Sequence, residues 1–141
     1  MDGPLTLTGI RAEIRRFSFR NADELELETG LEKVLAGLGL TVERQVRLDP
    51  KSRIDIVATL PDGLRLGVEV KVDGRGHDVL RQVRRYTSSP ELGAVMLVTT
   101  ISRHMTAIMP WVTVPDGPPG MSRWTLDDKP FDLVTIRRGL M

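Results

Sequence analysis

Three charged residues in the middle of the chain are of types, and at a spacing, that can do chemistry. Glu69 and Lys71 flank one valine, and thirteen residues separate Asp55 from Glu69. Both stretches are apolar and β-branched, and Pro61–Gly63 between them is typical of a hairpin loop. If that loop closes an antiparallel hairpin, Asp55 directly faces Glu69. By the same count, Arg53 faces Lys71.

Two carboxylates that face each other on neighbouring strands favour a divalent cation. Facing Cβ atoms are about 4.5–5.5 Å apart, and like charges there are destabilising unless something neutralises them. Mg²⁺ binds carboxylate oxygens and keeps several waters, which leaves positions for a substrate phosphate and an attacking water. Lys71 is suited to stabilise charge on that phosphate or to orient the water. The simpler interpretation is a charged outer face of a hairpin, on which Glu69 and Lys71 balance each other.

The strands that carry these residues are apolar enough to be central in a sheet. We predict strands at Arg53–Leu60 and Leu64–Val72. Because strand side chains alternate, one face should be filled by Ile54, Ile56, Val68, Val70 and Val72. A charged set on a central strand covered by helices needs a reason, which favours a site over the simpler interpretation.

A helix before these strands adds a further carboxylate. Residues Asn21 to Glu24 are typical of an N-cap followed by an acidic residue, and apolar side chains then recur at helical spacing until about Gly37. Glu28 lies at the margin of this apolar stripe, so its side chain can reach toward the sheet. We expect Glu24 and Glu32 to lie on the solvated surface.

A second helix is predicted from His77 or Asp78 to Thr87, directly after the strand that ends in Lys71. Arginines in this helix and before it are Arg75, Arg81, Arg84 and Arg85. They indicate a local positive surface that would attract phosphates, although the whole chain has a net charge of only +1. The alternative is a solvated helix face balanced by nearby aspartates, and Tyr86 taken alone is best explained as a core residue.

The other patterns predict an α/β fold with a mixed sheet flanked by helices. Further strands are expected at Thr41–Leu48 and at Ala94–Thr99, the second of which suits parallel pairing after the helical crossover. The segment before residue 21 could form a short helix or strand. After residue 100 we expect a weak helix at Ile101–Met109, an irregular loop at Pro110–Gly120 and a strand at Phe131–Ile136. We predict a single domain over 1–141, with a core at about 21–100 and a C-terminal extension at 101–141.

Composition excludes several kinds of site. The chain has no cysteine, so disulfides, thiolate metal sites and cysteine nucleophiles are ruled out. No apolar stretch approaches the roughly 18 residues that span a bilayer. The first residues lack a basic start followed by an apolar run. We therefore expect a cytoplasmic protein with no membrane partner.

In these features the chain resembles the PD-(D/E)xK nucleases, a superfamily that includes restriction enzymes, resolvases and RecB-like exonucleases. The likeness spans about 22–100 and comprises the helix with Glu28, the strand with Asp55, the Glu69-Val70-Lys71 motif and a Gln82-x-x-x-Tyr86 helix like that of the RecB-like branch. Ile54 stands where the family motif is named for a proline, although many members lack it. The resemblance implies a restriction-endonuclease-like fold.

The resemblance also implies roles for single residues. Asp55 and Glu69 would bind Mg²⁺ or Mn²⁺, with the Val70 carbonyl and Glu28 contributing, and Lys71 would assist the hydrolytic water. Gln82 would be an active-site residue, and Tyr86 would contact substrate together with the arginines of that helix.

The expected function is therefore metal-dependent hydrolysis of phosphodiester bonds, most simply in DNA and without sequence readout. A homodimer would allow two such sites to cut both strands. Three alternatives stay open at this point. They are an RNA-cleaving, toxin-like nuclease, a catalytically silent module of the same fold that binds nucleic acid or protein, and an unrelated α/β domain with accidental motifs.

Overall fold

The structure is a computed structural model that describes residues 5–17, 23–116 and 120–136. Its helices are α1 (Leu7–Arg16), α2 (Glu24–Gly37), α3 (Gly76–Thr87) and α4 (Ser102–Ile108), followed by a short 3₁₀ helix at Met109–Trp111. Its strands are β1 (Thr41–Asp49), β2 (Ser52–Thr59), β3 (Arg65–Lys71), β4 (Ala94–Thr99), β5 (Val112–Thr113), β6 (Trp124–Leu126) and β7 (Lys129–Thr135). The predicted α/β fold with a mixed sheet flanked by helices is confirmed.

All seven strands form one sheet in the order β1-β2-β3-β4-β7-β6-β5. The strands β1, β2 and β3 are antiparallel neighbours. After α3 the chain returns as β4, which pairs in parallel with β3 as predicted, and β7 continues in parallel with β4. The strands β6 and β5 extend the far edge antiparallel. The C-terminal segment therefore supplies an internal strand of the sheet.

Helices cover both faces of the sheet. On one face, which we call the α1/α2 face, the strands pack against apolar side chains of α1 and α2, among them Leu7, Ile10, Leu27 and Leu31. On the opposite α3/α4 face they pack against apolar side chains of α3 and α4, among them Val79, Val83 and Ile108. Because β4 is covered on both sides, all six of its residues are buried, which explains its unbroken apolar sequence.

The helix α2 begins and ends close to where the sequence predicts. The side chain of Asp23 accepts a hydrogen bond from the N–H of Glu26 at 2.8 Å, so Asp23 is the N-cap. Asn21 and Ala22, which belong to the predicted cap, lie outside the described residues. The helix ends at Gly37, and Gly39 follows with a φ of +88°, a conformation that glycine adopts easily.

The hairpin register follows the predicted count, but the predicted alternation fails at one residue. Ile56 pairs with Val68, and both pack on the α1/α2 face as expected. Ile54 packs on the α3/α4 face, so its predicted place beside Ile56 was wrong. A Cβ on Gly67 would lie 2.7 Å from Cδ1 of Ile54 and 2.6 Å from Cδ1 of Leu92, which shows that these two side chains fill the space that this glycine leaves.

The segment after β4 was predicted in part. The helix α4 lies within the expected 101–109, and β7 contains the expected last strand except for Ile136. The expected irregular loop at 110–120 was wrong at its start, because Val112–Thr113 forms β5, and β6 was missed. Both are too short to show a period of two. β6 pairs with β7, and β5 pairs with β6. Among the described residues, no helix is long and apolar enough to cross a bilayer.

Candidate active site

The strands β2 and β3 stop pairing at the residues that were predicted to do chemistry. Their backbone register ends at Ile56↔Val68. Beyond that pair, the N–H of Val70 donates to Oδ2 of Asp55 at 2.8 Å, and the N–H of Asp55 donates to Oε1 of Glu69 at 3.3 Å. Carboxylate oxygens therefore accept the hydrogen bonds that strand carbonyls accept in a regular ladder. The structure thus brings Asp55 and Glu69 together.

Glu69 is buried with little positive charge around it. The residue is 3% exposed, and Nζ of Lys71 lies 3.4 Å from its Oε2. Burial raises the pKa of Glu69 to about 8, the charge of Asp55 adds to this increase, and Lys71 acts in the opposite direction. The predicted facing pair of Arg53 and Lys71 lies beyond the end of the β2–β3 ladder, as Asp55 and Glu69 do.

Glu28 on α2 points at the same place. It is 5% exposed, and its Oε1 accepts a hydrogen bond from Nε2 of Gln45 at 2.9 Å. The same nitrogen lies 3.4 Å from Oδ1 of Asp55. Burial first, and then the charge of Asp55, raises the pKa of Glu28. One amide group therefore separates Glu28 from Asp55.

Glu24 and Glu32, two further glutamates of α2, differ from each other. Glu24, expected on the solvated surface, is half-buried. Burial first, and then the charge of Asp55, raises the pKa of Glu24, so the site's negative field reaches the first turn of α2. Glu32 lies farther along the helix and pairs with Arg44 at 3.6 Å.

The glutamine and tyrosine of α3 lie beside the carboxylates. The Tyr86 hydroxyl donates to the Arg53 carbonyl at 2.8 Å and accepts from Nε2 of Gln82 at 2.9 Å. Tyr86 is 1% exposed, so the expectation of a core residue is met, and yet its hydroxyl is hydrogen-bonded at the site. Burial, and after it the charge of Glu69, raises the pKa of the Tyr86 phenol above its usual range.

The four predicted arginines do not share one environment. Arg84 donates two hydrogen bonds to Asp127, at 3.1 and 3.2 Å, and its guanidinium lies 4.8 Å from the centre of the Trp111 ring. Arg81 is 3.7 Å from Asp78, and Arg75 is an exposed residue just before α3. Arg85 is exposed and lines a surface cleft of about 510 Å³ together with Asp49, Pro50, Lys51 and Ser52.

The oxygen atoms at this site supply some of the ligands that a hard cation such as Mg²⁺ needs. Within the described residues, no three His, Asp or Glu side chains lie close enough to hold a metal ion. Asp55 and Glu69 supply two carboxylates. The Val70 N–H points toward β2, and the carbonyl of a strand residue points to the same side as its N–H, so the Val70 carbonyl faces the gap as well. Two carboxylates and one carbonyl fit Mg²⁺, which completes its shell with water.

Gln45 is a residue of this site that sequence reasoning missed. Its φ is +53°, in the left-handed region, and its amide bridges Glu28 and Asp55. The alternating pattern of Thr41–Leu48 predicts an ordinary strand and contains no glycine or asparagine at this position. No signal in the sequence could therefore have identified it.

Comparisons with protein-family models, with curated proteins and with solved structures found no match to this chain.

Proposed function

We propose that this chain is a metal-dependent nuclease of the PD-(D/E)xK type, with a restriction-endonuclease-like fold, that hydrolyses phosphodiester bonds in DNA. The observation that carries the proposal is the gap between β2 and β3, where Asp55, Glu69 and Lys71 meet. A gap lined by carboxylates, with a lysine beside it, is suited to a reaction at phosphate.

The buried acidic pair supports a cation at this place. In the absence of a cation, Asp55 and Glu69 repel each other, and burial raises the pKa of Glu69 to about 8. A bound Mg²⁺ would supply Lewis-acid chemistry and a water of lowered pKa. Asp55, Glu69 and the Val70 carbonyl would hold it, with Glu28 adding negative charge from one amide group away.

The remaining side chains would act on the substrate and on the water. The ammonium of Lys71 lies 3.4 Å from Glu69, where it would stabilise negative charge that develops on the phosphate. Gln82 and Tyr86 orient each other through their 2.9 Å hydrogen bond on the α3 side of the sheet. Arg85 and Lys51 line the cleft of about 510 Å³ and are suited to hold the substrate backbone.

A catalytically silent module of the same fold is the second candidate. It is favoured by the 3.4 Å contact between Lys71 and Glu69, because this ammonium can balance one of the two carboxylates without a metal ion. Such a module would bind nucleic acid without any need for metal. The same experiment therefore separates the two candidates.

The test is cleavage of labelled duplex, single-stranded and branched DNA, and of RNA, with Mg²⁺ or Mn²⁺ and with EDTA. We expect metal-dependent cutting that falls about 100- to 1000-fold in Lys71→Ala, as for the loss of one electrostatic stabiliser. Lys33→Ala, which changes an exposed lysine of α2, is the matched control and should cut like the wild type. Binding without cutting on every substrate would contradict the proposal and favour the silent module, and cutting of RNA alone would favour the toxin-like alternative.

A further inference from the structure

Both β1 and β2 change faces at one point. On β1, Val42 packs on the α1/α2 face and Val46 on the α3/α4 face. On β2, Ile56 and Ile54 show the same change. In a regular strand, side chains an even number of residues apart stay on one face. In both strands, the side chains therefore exchange faces of the sheet between these residues.

Gln45 on β1 and Asp55 on β2 lie at the point where the side chains exchange faces. The pairs Arg44↔Ile56 and Val46↔Ile54 flank them without any shift of register, so Gln45 is opposite Asp55. Gln45 has a φ of +53°, which is costly for a residue other than glycine or asparagine.

A second observation shows the effect of this conformation. Arg44 and Gln45 are consecutive, and their side chains in a regular strand would point to opposite faces. Instead both contact Glu28, at 3.6 Å from Arg44 and 2.9 Å from Gln45. The left-handed backbone therefore turns the Gln45 side chain back toward α2.

We propose that Gln45 is a positioning residue of the carboxylate site, through its left-handed backbone and through its amide. The backbone turns the strand pair over, so that Asp55 points into the gap beside β3 and accepts from the Val70 N–H at 2.8 Å. The amide keeps Glu28 next to Asp55. This inference rests on the proposed function for its consequence, because the site it builds is the one that would hold the cation.

The backbone part is tested by melting temperatures of four variants. Gln45→Gly and Gln45→Val are compared with Glu43→Gly and Glu43→Val, because Glu43 is an exposed residue of the same strand. At Glu43 the valine variant should melt higher than the glycine variant, as in ordinary strands. At Gln45 the order should reverse, because glycine accepts the left-handed conformation and valine resists it. The same order at both positions would overturn this part.

The side-chain part is tested by Mn²⁺ binding, followed through the electron paramagnetic resonance signal of the free ion. Gln45→Gly keeps the backbone conformation and should weaken Mn²⁺ binding roughly tenfold, as does the loss of other groups that orient metal ligands. The Glu43 variants should bind like the wild type. Unchanged Mn²⁺ binding in Gln45→Gly would overturn the side-chain part while leaving the nuclease proposal intact. A wild type that neither binds Mn²⁺ nor cuts would instead refute the nuclease proposal and the cation role, and the melting order would still decide the backbone part.

Discussion

Two buried carboxylates of the sheet, Asp132 on β7 and Glu69 on β3, differ in how much positive charge surrounds them. Asp132 is fully buried, and its Oδ1 lies 2.9 Å from the guanidinium of Arg123 and 3.7 Å from that of Arg11. It also accepts from the Leu133 N–H at 2.8 Å. Glu69 has the ammonium of Lys71 at 3.4 Å and the carboxylate of Asp55 beside it. The charge of Asp132 is thus already neutralised by protein side chains, whereas Glu69 and Asp55 are suited to bind a further cation.

The largest expected effect comes from removing each charge in turn. Asp132→Asn should lower the free energy of unfolding by about 2–4 kcal/mol, because two arginines then lose their carboxylate. The matched change Glu69→Gln should leave metal-free stability unchanged or raise it at pH 8, because it removes repulsion with Asp55. Urea unfolding in EDTA measures both values. Equal losses in the two variants would show that Glu69 is as well neutralised as Asp132.

A divalent cation should stabilise the protein by binding at Asp55 and Glu69, and not at Asp132. At a Mg²⁺ concentration about 100 times the dissociation constant, the free energy of unfolding should rise by about 2.7 kcal/mol. The increase should vanish in Glu69→Gln and in Asp55→Asn, and it should persist in Asp132→Asn. Unfolding with Mg²⁺ against EDTA measures it. An increase that survives in Glu69→Gln would place the bound ion elsewhere.

The two carboxylates should also differ in how stability depends on pH. The folded pKa of Glu69 is raised to about 8 from its ordinary value of 4.5, so between these pH values the folded state holds a proton that the unfolded state has lost. Its contribution is fully present below the unfolded pKa and is lost as pH rises toward 8, with a slope of at most about 1.4 kcal/mol per pH unit. In metal-free buffer, the wild type should therefore lose stability relative to Glu69→Gln as pH rises. A constant difference would contradict the raised pKa.

Local patterns were enough to predict the parts of the site that lie near each other in sequence. The hairpin that joins β2 and β3 has a short loop and apolar strands, and α2 and α3 have clear helical spacing. The hairpin carries Asp55 and Glu69, so the meeting of these two residues followed from the pattern, and α3 carries Gln82, which hydrogen-bonds the Tyr86 hydroxyl. The roles assigned to them stay predictions.

What the sequence could not predict depends on backbone conformation or on distant contacts. The left-handed Gln45 has no residue-type signal, and its effect on Ile54 could not be derived from alternation. The contact between Arg84 and Asp127 joins residues 43 positions apart, so a helix pattern could not show that this arginine already has a partner. Backbone conformation decided the first outcome, and a tertiary contact decided the second.

The smallest expected effect concerns two neighbouring arginines. Like the two carboxylates, they differ in whether a group of opposite charge already lies beside them. Arg84 is paired with Asp127, whereas Arg85 lines the cleft and is exposed. Arg84→Ala should lower the free energy of unfolding by about 0.5–1 kcal/mol, as for a partly exposed ion pair, with little change in DNA affinity. Arg85→Ala should leave stability within about 0.5 kcal/mol and weaken DNA binding, with a salt dependence reduced by roughly 0.7–0.9 in log–log slope, because one phosphate contact is lost. Fluorescence anisotropy at several salt concentrations measures the slope, and a reduced slope in Arg84→Ala but not in Arg85→Ala would reverse the assignment.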